Sequence, residues 1–395
     1  MSPHRWLVRC CHLGMFIQAL VINVTPLLFV PLREEFGLSF EQIGRLVLIN
    51  FLTQMLVDLA CSAWADRVST RLLIVSANLL AALGLWVFAL APGWLATPYD
   101  GLLLGTIIFS AGCGLLEVLL SPIINAVPSE RKSGAMAVLH AFYPIGKVAV
   151  IVVTGGLLYL TGAASWRAIL IGWSIFPLVN TVGFLLVRIP PLGHEDSPQT
   201  LRALFRESDY FLLLLSIALA GATEVTVAQW TSAFLEKGLG FSKLVADLVG
   251  FALFGVGMIA GRLWFGLRGE HGNLRRTMLV GAGISAAAYV LMAVSPWPVL
   301  ALIACASSGF FVSMLWPGTL SLSAARFPLA GAAMFAILAA AGDAGAALMP
   351  WSVGVIADVT NLRVGLLVAA LGPLLMLPVL WRLRPKAALP AQASA

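Results

Sequence analysis

Charge is what this sequence has least of: Asp, Glu, Lys and Arg make up 11% of its 395 residues, against roughly 25% in soluble globular domains. That shortage excludes an ordinary water-soluble domain. Cysteine is also sparse, and Cys10, Cys11, Cys61, Cys113 and Cys305 form no Cys-x-x-Cys pair. Neither a zinc framework nor a disulfide scaffold fits, and the five read as packing residues. There is no His/Cys cluster, no Gly-x-Ser-x-Gly elbow and no phosphate-binding loop. Gly255-Val256-Gly257 sits inside an apolar run with no strand before it. An enzyme, and a cofactor to serve it, are therefore not expected.

What the chain has is hydrocarbon: 60% of residues are hydrophobic and the mean hydropathy is +0.96. Runs of eighteen or more apolar residues mark spanning helices, and twelve occur, near 10–31, 43–65, 72–92, 101–127, 134–162, 166–188, 210–236, 243–267, 274–294, 297–325, 330–357 and 361–381. The expected fold is an all-α membrane protein of twelve transmembrane helices in two pseudo-symmetric halves of six. The longest polar gap divides it, giving an N-terminal half at 1–188, a linker at 189–209, a C-terminal half at 210–382 and a tail at 383–395.

The net charge of +6 is not a nucleic-acid signature, because the basic residues sort by loop. Seventeen fall on the side of the termini, among them Arg5, Arg9, Arg67, Arg71, Arg131, Lys132, Arg275, Arg276 and Arg382, and six on the other, with Lys147 inside a helix. By the positive-inside rule both termini are cytoplasmic. The first run follows Arg5 and Arg9 but has no small-x-small cleavage site and is long enough to span, so it reads as helix 1 rather than a signal peptide.

If the halves are duplicates, landmarks should recur at a spacing near half the chain. Gly114 and Pro122 recur as Gly309 and Pro317, Ala135-Met136 as Ala333-Met334, and Leu32, Gly37 and Ser39 as Leu235, Gly240 and Ser242. The offsets are 195, 198 and 203.

Several ionisable residues interrupt the apolar runs. A charge at mid-bilayer costs several kcal/mol unless paired or facing water, so each is a functional candidate. At 1.5 Å per residue, Glu117 and Tyr143 lie about 20 Å from the turn at Ser129–Lys132, and Glu224, Trp316 and Asp343 come out at similar depth in the other half. His140, Tyr143 and Lys147 share one face of helix 5 at spacings i, i+3, i+7, and a Glu117–Lys147 pair is geometrically allowed. Glu117, Lys147, Glu224 and Asp343 place three acids and one base near the midplane. Such a set must bind a proton or be compensated by a cation.

The proton-coupling candidates are Glu117, Glu224 and Asp343. The substrate-binding candidates are Asn23, Glu117, His140, Tyr143, Lys147, Glu224, Trp230, Trp316 and Asp343, the aromatics as flat faces on which an apolar C–H surface can stack. Asp58 continues a polar stripe from Asn50 and Gln54 and, with Asp66, Arg67, Arg71 and Arg262, reads as a gate residue. Each also has a structural reading: an acid and base can simply lock two helices, and buried aromatics usually pack. Asp358 and Arg363 read as a solvated turn.

Two six-helix halves with a cytoplasmic linker resemble the major facilitator superfamily. Its motif Gly-x-x-x-Asp-Arg-x-Gly-x-Arg would run from Ser62 to Arg71; the chain keeps Asp66, Arg67 and Arg71 and has Ser62 and Ser69 at the glycines. Within that superfamily it is most similar to the fucose:proton symporter branch and its bacterial relatives. Gly114-Leu115-Leu116-Glu117 with Pro122, Leu139-His140-Ala141-Phe142-Tyr143 with Gly146, Trp230 after Gly221 and Glu224, Trp316-Pro317-Gly318-Thr319 and Gly342-Asp343-Ala344-Gly345 carry the resemblance. It implies that Glu117 is a coupling and binding residue and that His140 and Tyr143 lie near the sugar. A helix 1 carboxylate of that branch falls on Leu27, so its proton mechanism does not transfer whole. The resemblance implies a monomeric secondary active transporter in a bacterial inner membrane, taking up a sugar or sugar-like molecule with protons by alternating access. The rival is a proton-coupled exporter of amphipathic or cationic compounds. The partners expected are the small-molecule substrate, protons and lipid, with no metal and no nucleic acid.

Overall fold

The computed structural model describes residues 4–64, 68–128, 132–190, 201–268, 274–327, 330 and 332–383. They contain twelve helices long and apolar enough to cross a membrane: α1 Arg5–Phe36, α2 Phe40–Cys61, α3 Thr70–Gly93, α4 Pro98–Ala126, α5 Val138–Thr161, α6 Ala163–Leu186, α7 Ser208–Gly238, α8 Lys243–Phe265, α9 Leu274–Val294, α10 Pro298–Arg326, α11 Met334–Val359 and α12 Leu362–Arg382. Among the described residues every regular element is helical, and the spans form two halves of six, as the hydropathy pattern predicts.

The halves repeat in detail. Gly37 ends α1 at φ 66° and Gly240 opens the way to α8 at φ 76°. Both adopt the left-handed conformation that a side chain disfavours, which makes a short reversal between adjacent spans accessible. Helices α6 and α12 are each broken midway, at Ser174 and at Ala369–Ala370, and α10 is broken at Ser313–Met314. Pro177, Pro373 and Pro317 lie three or four residues beyond these breaks. A proline has no N–H for the carbonyl one turn back and its ring crowds that carbonyl, so the helix bends there.

A second repeat concerns helix ends. The Arg71 guanidinium donates to the Leu185 and Val187 carbonyls at 2.9 and 2.7 Å, and Arg275 donates to the Leu380 and Trp381 carbonyls at 2.6 and 2.5 Å. Each arginine opens the third helix of its half and caps the sixth, satisfying carbonyls with no intrahelical partner. Arg71, expected at a gate between halves, instead ties two helices of one half.

The two halves close on each other at the end remote from the termini. There the Asp358 carboxylate accepts from the backbone N–H of Phe40 and Glu41 at 2.8 and 2.7 Å, so a side chain of α11 caps the start of α2. The turn expected to be merely solvated is thus a cross-half contact, and its Arg363 donates to the Ser295 carbonyl at 2.7 Å. The Trp351 indole donates to Glu41 at 2.8 Å, Lys237 pairs with Glu34, and Trp230 packs against Phe29 and Phe40 with centroids 5.4 and 6.0 Å apart. From that end α2 and α11 run together toward the middle. Gly44 would place a Cβ 3.1 Å from the Trp351 Cα, and Gly354 one at 2.4 Å from the Phe40 carbonyl oxygen. Glycine at both points lets the backbones touch.

Candidate functional site

Following α2 inward along α11 leads to Asp58 and Asp343, and α4 brings Glu117 beside them. One carboxylate oxygen from each of the three lies within 4.8 Å of the others. Asp58 and Asp343 are buried, 2% and 4% exposed, while Glu117 is half-buried. Glu117 accepts from the Gln18 amide of α1 at 2.9 Å. Both oxygens of Asp58 and Oδ2 of Asp343 have no hydrogen-bond partner among the described residues. Asp58 and Glu117 belong to one half and Asp343 to the other.

The helices that carry these acids are held close by small residues. Gly114, one turn before Glu117, would place a Cβ 3.0 Å from the Val57 side chain and 3.2 Å from the Gln54 Cα, so α4 lies directly on α2. The polar stripe that precedes Asp58 is satisfied within its own half: Gln54 donates to Asn50 at 3.2 Å, and Ser110 of α4 donates to Asn50 at 2.6 Å. Asp58, one turn on, is where that network stops. Next to Asp343, Gly342 accommodates the Trp316 ring, whose Cη2 would stand 2.2 Å from a Cβ there. Trp316 is half-buried and packed against the acid-bearing stretch of α11.

A second group, with cations, lies on α5, α7 and α8. Glu224 faces Arg262 with 3.6 Å between Oε1 and the guanidinium, and its Oε2 is buried without a partner among the described residues. Arg262 also reaches the Ser313 carbonyl at 3.4 Å. Lys147 is 2% exposed; its ammonium meets the Met258 sulfur at 3.7 Å and stands 5.6 and 5.0 Å from the ring centres of Phe251 and Phe254. Glu224 and Arg262 are the charges acting on it. Tyr143 lies between the two groups, hydrogen-bonded to Asn23 and within the fields of Glu224, Glu117 and Arg262. His140 is exposed, 3.4 Å from Ser121 Oγ.

Of the residues singled out from sequence, the structure thus gathers Glu117 and Asp343 with Asp58, and Glu224 with Arg262, Lys147, Tyr143 and Asn23. Asp58, expected at a gate, sits beside Glu117 and Asp343. Lys147 faces α8 rather than Glu117, so the pair that depth alone allowed is not formed. Arg262 meets Glu224 instead of a partner at a cytoplasmic gate. Trp230 is wholly buried and donates to the Pro350 carbonyl at 2.9 Å, so it offers no free face here. Asp66 and Arg67 lie outside the described residues. Sequence reasoning missed Gln18, one of two amides in α1, which no spacing ties to Glu117. It also missed Asp247, wholly buried at the start of α8, which accepts from Lys243 at 2.6 Å and from Ser232. Gly155 of α5 backs this cluster across the halves, its Cβ position 3.2 Å from that of Asp247.

The profile of the Major Facilitator Superfamily matches residues 11–273, well over half of the chain. The chain belongs to this superfamily. It is a transporter of many membrane spans, not an enzyme. Solved structures agree on the fold. A D-xylose-proton symporter superposes with a TM-score of 0.82 at 15% identity, covering 97% of this chain and 98% of its own. A bacterial homologue of the human lysosomal transporter Spinster, inward-facing and occupied, gives 0.78 at 15% identity over 97% of both chains. The E. coli fucose:proton symporter gives 0.67 at 15% identity over 98% of this chain and all of its own. At such identity these likenesses establish the major facilitator fold and nothing finer.

Proposed function

We propose that this superfamily transporter is a proton-coupled importer of a sugar or sugar-like molecule, and that Asp58, Glu117 and Asp343 carry the proton. The observation behind this reading is the approach of three carboxylates from both halves to within 4.8 Å, with no cation facing them among the described residues. At that separation two unit charges repel by about 3.5 kcal/mol at an effective dielectric of about 20. Three such pairs cannot all stay ionised, and carboxylates that close share protons. When α11 swings away from α2, Asp343 leaves the other two, the repulsion falls and a proton can go. Proton binding therefore favours the closed pairing of α2 with α11, and opening favours release.

The same reading assigns the protein to a bacterial inner membrane as a monomer, with both termini cytoplasmic; the distribution of basic residues supports the last of these. The contacts around Asp358, Trp351 and Trp230 would then form the outer seal. Likeness to the xylose and fucose symporters supports a sugar as cargo by analogy of fold only.

Purified protein in liposomes with a trapped pH dye tests the proposal. External sugar should acidify the lumen, and Glu117→Gln should abolish the signal. Unchanged acidification in that variant would remove Glu117 from the coupling. A second reading draws on the same acidic cluster: uncompensated carboxylates also suit a cationic cargo, as in an exporter exchanging amphipathic cations for protons. Luminal alkalinisation on adding organic cations, with none of the sugars active, would select it.

A further inference from the structure

Lys147 presents an unexplained charge. A buried ammonium is normally held by a carboxylate or by several hydrogen-bond acceptors, since removing it from water is costly. Here its contacts are one thioether and the faces of two phenylalanines, and no carboxylate of the described residues lies within ion-pair range. Such ring contacts recover about 0.5–2 kcal/mol, less than a buried unpaired charge costs. A leucine or methionine would fill this space better. Nearby, Arg262 reaches its only described carboxylate partner at 3.6 Å, beyond the 2.7–2.9 Å of a formed charge-assisted bond. The terminal nitrogens of its guanidinium have no hydrogen bond among the described residues.

We propose that this pole receives an anionic group of the substrate, and that the cargo is a sugar acid, a polyhydroxylated monocarboxylate such as an aldonate or uronate. The proposal rests on the reading of the chain as an importer of sugar-like molecules and narrows its substrate class. Lys147, Arg262 and Glu224 together carry one net positive charge, which one carboxylate neutralises. A phosphate dianion would leave the pole negative. Arg262 supplies the fork that accepts a carboxylate from two sides, Lys147 supplies a point charge, and Tyr143 with Asn23 and the unpartnered Oε2 of Glu224 offers hydroxyl partners toward the acidic cluster. The arrangement also gives the anion a reason to travel with protons. Its charge adds to that of Asp58, Glu117 and Asp343, so its binding strengthens proton binding there, and protons strengthen its binding by the same factor.

Direct binding to the purified full-length protein in detergent tests this, read by tryptophan fluorescence and by thermal shift with D-gluconate, D-glucuronate, D-glucose and D-glucitol. At least one of the acids should bind ten times or more tightly than either neutral compound. Lys147→Met, which fits among Met258, Phe251 and Phe254, should lose that preference while its ligand-free melting temperature stays level or rises. Lys147→Arg should keep part of the preference. Equal or tighter binding of the neutral compounds overturns the proposal, as does undiminished acid binding in Lys147→Met, a lowered ligand-free melting temperature with binding intact, or binding of none of the four. Binding of an acid without luminal acidification in liposomes would sink the proton coupling and leave this assignment standing; acidification driven by glucose alone would do the reverse.

Discussion

Asp58 and Asp343 stand on opposite halves of the protein, yet their carboxylates lie within 4.8 Å of one another at the inner end of the α2–α11 seam. Outward of them, Asp358, Trp351 and Lys237 draw the halves together. Between Asp58 and Asp343, like charge pushes the halves apart unless a proton intervenes. Asp58→Asn or Asp343→Asn removes that repulsion permanently, so each variant should melt higher than wild type at pH 8, by an amount corresponding to about 1–3 kcal/mol. The gap should narrow on acidification, because a proton then does in the wild type what the amide does in the variant. Both variants should lose coupled uptake. A lower melting temperature for both at pH 8 would show that the acids hold the seam together rather than strain it.

Asp358 makes a separate prediction at the other end of the seam. It caps α2 from across the interface, and loss of such a cap costs about 0.5–2 kcal/mol. That cost falls on one conformation only, since the cap exists only when the halves meet. Asp358→Ala should therefore shift the population toward separation at this end. Spin labels at positions 163 and 360, both exposed and on different halves, should report a distance distribution extended to longer values in the variant. An unchanged distribution would mean that Trp351, Lys237 and Trp230 close this end without it.

The symmetric posts of Arg71 and Arg275 permit a test of the internal duplication. Each donates two hydrogen bonds to the carbonyls that end the sixth helix of its half. Bonds from a charged donor are worth about 1.5–3 kcal/mol each when buried and less where exposed. Arg71→Ala and Arg275→Ala should lower the melting temperature by similar amounts, with substrate affinity intact. A large affinity loss in Arg71→Ala alone would return that residue to the role of a gate.

Much of this was legible in the sequence. Hydropathy placed all twelve helices, and the recurrence of Gly37 as Gly240 located equivalent turns because both need the left-handed backbone. The site was less legible, for a geometric reason. Counting 1.5 Å per residue from a loop gives height in a straight, upright helix, whereas tilt and proline bends shift it, and height says nothing about rotation. Asp58, at the end of the stripe from Asn50 and Gln54, reads as a gate residue in the sequence, although its carboxylate joins those of Glu117 and Asp343. Lys147 lies one turn beyond the height of Glu117, within reach by length alone, but points at α8. Gln18 left no pattern: α1 carries two amides, Gln18 and Asn23, and their spacing does not say which one meets Glu117.

Gly345 and Gly342 offer the last test, on the glycines that let α11 approach α7 and α10. A Cβ at Gly345 would fall 1.8 Å from the Ala218 carbonyl oxygen, a rigid backbone atom, while one at Gly342 would fall 2.2 Å from the edge of the Trp316 ring. The first clash can be relieved only by moving helices, and such overpacking costs typically about 1–3 kcal/mol. The second can be relieved by turning one half-buried side chain. Gly345→Ala should therefore lower the melting temperature clearly. Gly342→Ala should lower it little but displace the indole beside Asp343, weakening substrate binding severalfold in a fluorescence titration. If Gly342→Ala left binding unchanged while costing as much stability as Gly345→Ala, Trp316 would be a packing residue and not part of the site.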